Sequence, residues 1–159
     1  MEVYRSTNNS MIQQSAQRIA KKGIPVFPCE PGGKDPLTKH GFKDATTNPS
    51  RITAWWNKWP NANIGVPTGA QTGFWVLDVD ADKGGFESLA ALTAAQGELP
   101  HTATVRTGRG GRHYYFKYPE DGTVISNSAG KLGRGLDVRG EGGYVLVPPS
   151  VTEGCYEQL

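Results

Sequence analysis

The chain has 159 residues, of which 36% are apolar and 20% charged, values that fit one soluble globular domain and exclude a largely disordered chain. A formal charge of +2 permits a nucleic-acid partner without arguing for one, and no apolar run approaches the ~20 residues of a membrane span. The N-terminus lacks the apolar core of a signal peptide, so a cytoplasmic protein with no membrane partner is expected. Cys29 and Cys155 have no CxxC spacing and His40, His101 and His113 are scattered, so no zinc site is expected and both thiols are read as buried.

In chain order, Ser10 with Gln13 forms a capping-box pair, and Ile12, Ala16, Ile19 and Ala20 then share one helical face until Lys21, Lys22 and Gly23 close the helix. Residues 24–27 read as a short buried strand, followed by a proline- and glycine-rich basic loop carrying Lys34 and Lys39. Asn48 and Pro49 start a second helix, whose Ile52, Trp55, Trp56 and Trp59 form a core stripe that Pro60 ends. Strands follow at 64–66 and 74–80 around a turn at 69–73, then a helix over 86–96 ended by Gly97. Residues 102–107 and 113–118 are β-rich runs joined by the glycine-arginine loop 108–112, and further strands are expected at 136–139 and 144–147. The order predicts an α+β domain with one central mixed or antiparallel sheet and helices packed against it. Residues 156–159 follow a strand-like stretch without a cap or polar tail, which suggests a longer polypeptide.

The chemistry concentrates in three places. Asp78 and Asp80 end an apolar strand at i and i+2, so they face the same side, and two adjacent carboxylates suit a hard divalent cation such as Mg²⁺ or Mn²⁺; the alternative is that Asp80 and Asp82 merely cap the following turn and helix. Asp137 lies between Leu136 and Val138 with Arg139 on its own side, either as a third metal ligand or as half of a surface ion pair. His113 opens a strand after Arg109, Gly110, Gly111 and Arg112, so an imidazole, two guanidinium groups and open backbone N–H groups could converge on one anion such as a triphosphate. Strand alternation puts His113, Tyr115 and Lys117 on one face and Tyr114, Phe116 and Tyr118 on the other. The loop lacks the Lys-Ser/Thr ending of a P-loop, which disfavours a Walker-type ATPase.

The order D-x-D, then a glycine loop with a strand histidine, then a strand aspartate resembles the archaeo-eukaryotic primase superfamily, and more closely the bifunctional primase-polymerase domains of phage, plasmid and mobile-element replication proteins. The stretches 23–28, 63–66 and 137–140, Thr107-Gly108 with Gly110-Gly111, Lys34 with Pro36, and Pro148-Pro149-Ser150 share the likeness. The resemblance implies an RRM-like palm preceded by a small αβ unit, with the site in the cleft between them. It implies that Asp78, Asp80 and Asp137 hold two Mg²⁺ or Mn²⁺ ions, that His113 and Arg109 bind the incoming nucleotide's phosphates, and that Arg139, Lys34 and Arg112 are further phosphate or template contacts, Arg139 ahead of Arg112.

By the same resemblance, nucleoside triphosphates and a primer on single-stranded DNA template are the substrates. The 159 residues would be one catalytic domain at the N-terminal part of a longer replication protein, with a helicase or helical accessory domain beyond, and extension would be more robust than de novo priming. One departure stands out: Gly111 takes the place of the motif's serine, two residues before the histidine, so that only its backbone N–H remains to donate. Two rival readings are a non-catalytic binding module that uses Tyr114, Tyr115 and the basic loops, and a metal-dependent nuclease that activates water instead of a sugar hydroxyl.

Overall fold

The computed structural model describes the backbone of residues 2–159 and the side chains of residues 11–159. In chain order its elements are α1 (Glu2–Lys21), β1 (Phe27–Cys29), α2 (Pro49–Lys58), β2 (Asn63–Pro67), β3 (Phe74–Val79), α3 (Gly85–Gln96), β4 (Thr104–Arg106), β5 (Arg112–Lys117), β6 (Ser128–Ala129), β7 (Leu136–Arg139), β8 (Tyr144–Leu146) and β9 (Glu157–Gln158). Helix α1 already passes through Ser10, whose helical backbone cannot serve as an N-cap; the Ser10 side chain lies outside the described residues. The second helix starts as its sequence dictates: the Asn48 side chain accepts the N–H groups of Ser50 and Arg51 at 2.9 and 3.3 Å, with Pro49 in the first turn.

The α+β class holds, but the strands form two antiparallel sheets in place of one: a three-stranded sheet, β1-β2-β8, and a six-stranded sheet, β6-β7-β3-β5-β4-β9. The division falls between β2 and β3, where Pro67 has no N–H to continue the ladder and Gly69, at φ +119°, turns the chain into the second sheet. Strand β1 sits later than expected and contains Pro28, which an edge strand tolerates because one side of its backbone needs no partner.

Ala16 and Ala20 bring α1 close to α2, where Ile52 and Trp56 are buried against Ile64 and Val66 of β2. The Trp56 indole N–H donates to the Ala62 carbonyl at 3.1 Å, so the largest buried side chain leaves no orphan donor. Between the sheets lie Phe27, Cys29, Val105, Leu146 and Tyr156, while α3 covers Leu77, Val79 and Leu136 on the far face of the larger sheet. Cys29 is fully buried, and burial pushes its thiol up to about 12. Cys155 is exposed, contrary to expectation, because the Val151 to Cys155 bridge holds it on a surface turn.

Candidate active site

Period-two alternation decides what β3 presents on each side: Trp75, Leu77 and Val79 pack toward α3, and Val76 and Asp78 face the other way. Because β3 lies between β5 and β7, its register sets Asp78 directly beside both His113 and Asp137. His113 Nε2 is 3.4 Å from Asp78 Oδ1. Arg139, two residues beyond Asp137 on the same face, places Nη2 at 3.4 Å from Asp78 Oδ2 and 3.2 Å from Asp137 Oδ2. The Asp137–Arg139 pair expected as the surface alternative therefore exists, but it is partly buried and shared with Asp78. The second oxygen of Asp137 accepts the Gly130 N–H at 3.0 Å.

Burial raises the Asp78 carboxyl, but the hydrogen bond to His113, the charge of that imidazole, and the charges of Arg139 and Lys34 outweigh it and hold the group below the ordinary carboxylate value of 3.8. His113, Arg139 and Lys34 thus favour the ionised form of Asp78 where burial opposes it. Asp80, just past β3, does cap the turn: its Oδ1 accepts the Asp82 N–H at 2.9 Å, and Lys83 Nζ lies 4.0 Å from Oδ2.

A cavity of about 180 Å³ gathers Lys34, Asp78, Asp80, His113, Asp137 and Arg139. A second lobe of about 190 Å³ shares Lys34, Asp78, His113 and Arg139 and adds Asn127 and Tyr144; Tyr156 borders both. Lys34 arrives from the first loop because that loop is tied down at two points. The Tyr144 hydroxyl donates to the Lys34 carbonyl at 2.9 Å, and buried Asn63 donates to the Gly33 and Val151 carbonyls, each at 2.9 Å, while its own carbonyl accepts the Val151 N–H. A larger cavity, about 860 Å³, lies between α3 and β4, but it contains none of these acids.

The loop between β4 and β5 splits its residues. Arg109 and Gly111 line the first cavity, Arg109 with its Nε at 2.8 Å from Asp82 and 3.3 Å from Glu153. The Gly110 N–H is committed to the Thr107 carbonyl at 3.0 Å. Arg112 does not join the convergence expected of it. As the immediate neighbour of His113 it falls on the opposite face, donates to the Gly110 and Gly111 carbonyls at 3.2 and 2.9 Å, and sits 5.6 Å from the centre of the Phe86 ring. The loop is braced from outside by a second chain segment: a Cβ at Gly108 would lie 2.8 Å from the Gly154 carbonyl oxygen, and one at Gly154 would lie 2.5 Å from that of Gly108. The two backbones touch only because both residues are glycine.

Several lining residues, Thr107, Asn127, Tyr144 and Tyr156 among them, were not among the expected site residues. Nothing local marks Tyr156, which reaches the cleft through its N–H bond to the Ser150 carbonyl at 2.8 Å. Beneath the cleft, His113 Nδ1 and the Tyr115 hydroxyl are buried without a hydrogen-bond partner among the described residues.

Over residues 16–159 the chain matches the Prim-Pol family, described as bifunctional DNA primase/polymerase, N-terminal. The chain belongs to that family. Prim-Pol membership implies primase/polymerase activity, with DNA and nucleotides as substrates. No curated protein matches the chain. No helix is long and apolar enough to cross a membrane among the described residues.

Prim-Pol enzymes generally use divalent metals, and the donor set here suits one: carboxylate oxygens from two adjacent strands on one sheet face, with Asp78 held ionised. The acids are not drawn into a ready-made cage; no three His, Cys, Asp or Glu side chains among the described residues gather closely enough to hold an ion. The geometry gives the reason: the Arg139 guanidinium lies between Asp78 and Asp137, and Asp80 is turned to its cap.

Proposed function

We propose that this Prim-Pol domain extends a primer on single-stranded DNA by nucleotidyl transfer from (d)NTPs, with Asp78, Asp80 and Asp137 as ligands of Mg²⁺ or Mn²⁺. The observation that carries this reading is the register that sets Asp78 beside Asp137 on one strand and His113 on the other, in one cleft with Lys34 and Arg139. Divalent cations held there would supply the charge that favours ionisation of the primer 3′-hydroxyl and offsets that of the triphosphate. His113 Nε2, which faces Asp78 Oδ1 at 3.4 Å, donates to a phosphate oxygen once that carboxylate turns to the cation, and Lys34 and Arg139 add positive charge to the same region. Arg109 contributes once it leaves Asp82 and Glu153, while Gly111 contributes its backbone N–H. Arg112 is assigned to holding the loop.

In this reading the six-stranded sheet is the RRM-like palm and the three-stranded sheet with α1 and α2 is the smaller αβ unit. The 159 residues act as one catalytic domain, the N-terminal part of a phage or plasmid replication protein that carries a helicase or helical accessory domain.

The test is incorporation of labelled nucleotides on primed and unprimed single-stranded templates with Mg²⁺ or Mn²⁺. Chelator-sensitive polymer on the primed template, absent in Asp78→Ala/Asp80→Ala, is the expected result. Template binding without polymer from any nucleotide would favour a non-catalytic module, and template degradation would favour a nuclease.

A further inference from the structure

We infer that the Thr107 hydroxyl is a direct hydrogen-bond donor to the triphosphate of the incoming nucleotide, supplying at the cleft what no side chain at position 111 can. The inference rests on the nucleotidyl-transfer reading above and adds a residue to it.

Thr107 and Gly111 face each other across a closed loop: the Thr107 N–H donates to the Gly111 carbonyl at 3.1 Å, and the Thr107 carbonyl accepts the Gly110 N–H at 3.0 Å. Position 111 has no room for a side chain, since a Cβ there would collide with the Val79 carbonyl oxygen, part of rigid β3. That same Cβ position lies 3.0 Å from Thr107 Oγ1, so the hydroxyl occupies the edge of the space a residue-111 side chain would claim. Thr107 lines the cavity together with Asp80, Arg109, Gly111 and His113.

The hydroxyl also differs from other threonines of the fold in being uncommitted. Thr68 donates to the Gly140 carbonyl at 2.7 Å, Thr104 to the Thr102 carbonyl at 3.0 Å, and Thr102 to the Tyr115 carbonyl, whereas Thr107 Oγ1 makes no hydrogen bond among the described residues. A donor fixed by a β-branched side chain, next to a cleft lined by Arg109, His113 and Lys34, matches a phosphate oxygen, an acceptor that carries charge.

The experiment is steady-state primer extension with Thr107→Val, which keeps the shape and removes the donor, and Thr107→Ser, which keeps the donor. The expected result is a rise of about tenfold in KM for the nucleotide in Thr107→Val, the loss of one hydrogen bond to a charged group. Affinity for template stays unchanged, and KM in Thr107→Ser stays within about threefold of wild type. A wild-type KM in Thr107→Val would overturn the inference, as would an equal rise in both variants. Should Thr107→Val fail to fold, Thr107→Ala is read against Thr107→Ser by the same outcomes. If the wild-type chain makes no polymer, the nucleotidyl-transfer reading itself has failed, a result distinguishable from an active enzyme indifferent to residue 107.

Discussion

The two faces of the six-stranded sheet are built from the same strands by alternate residues, yet one is a packing surface and the other a cleft. Toward α3 lie Leu77, Val79, Tyr114 and Leu136; toward the smaller sheet lie Asp78, His113, Asp137 and Arg139. Two arginines state the difference most sharply. Arg139 is two residues from Asp137 and reaches both acids, whereas Arg112 is one residue from His113 and reaches only its own loop and Phe86. Proximity in sequence to a motif residue is therefore the wrong measure; parity along the strand is the right one.

The largest effect should come from the cleft face at its centre. Asp78→Asn should lower nucleotide incorporation on the order of a thousandfold, the loss of a charge that the chemistry needs in place. Arg139→Ala should lower incorporation by about ten- to a hundredfold, as expected for a charged hydrogen-bonding group, measured as kcat/KM on a primed template. Arg112→Ala, from the packing face, should stay within about threefold of wild type in kcat/KM while losing ~1 kcal/mol of stability in urea. Equal kinetic losses in the two arginine variants would break the parity argument.

The sheet itself can be tested at Gly111, where a methyl would strike β3. Gly111→Ala should destabilise the fold by about 1–3 kcal/mol in urea denaturation, as overpacking does elsewhere. The effects of pH follow from two shifted groups. The Asp78 carboxyl is held below its unfolded value of 3.8, so its contribution is present above that pH and is lost as pH falls through the lowered native value; Asp78→Asn should flatten that acid limb. Cys29 is shifted the opposite way, from 9.0 to about 12, so its contribution is full below pH 9.0 and declines toward pH 12 as the unfolded thiol ionises. Urea melts across pH 9 to 11 should show this decline in wild type and less of it in Cys29→Ala.

Much of this was legible in the sequence where local rules suffice. Residues 136–139 read as a strand and are β7, and Asn48-Pro49 announced α2 through a cap that forms as expected. The ordered acids and His113 pointed to one site because strand spacing alone puts Asp78 and Asp80 on one side and Asp137 with Arg139 on another strand's corresponding side. What local rules do not contain is which strand lies beside which. The two-sheet division, the return of Tyr156 to the cleft, and the tie from Asn63 to Val151 each join residues far apart in the chain. Arg112 is a different case, since the alternation that put His113, Tyr115 and Lys117 on one face already sent Arg112 to the other.

The contact between Gly108 and Gly154 has a genetic consequence. Neither residue has a side chain to offer a substrate, yet the loop bearing Arg109 and the segment leading to Tyr156 are pressed together at that point. A screen for temperature-sensitive alleles should return substitutions at both positions, and an allele at Gly108, unlike one at Gly154, should be partly relieved by second-site changes at Thr152, whose hydroxyl is what a new side chain at Gly108 would meet first.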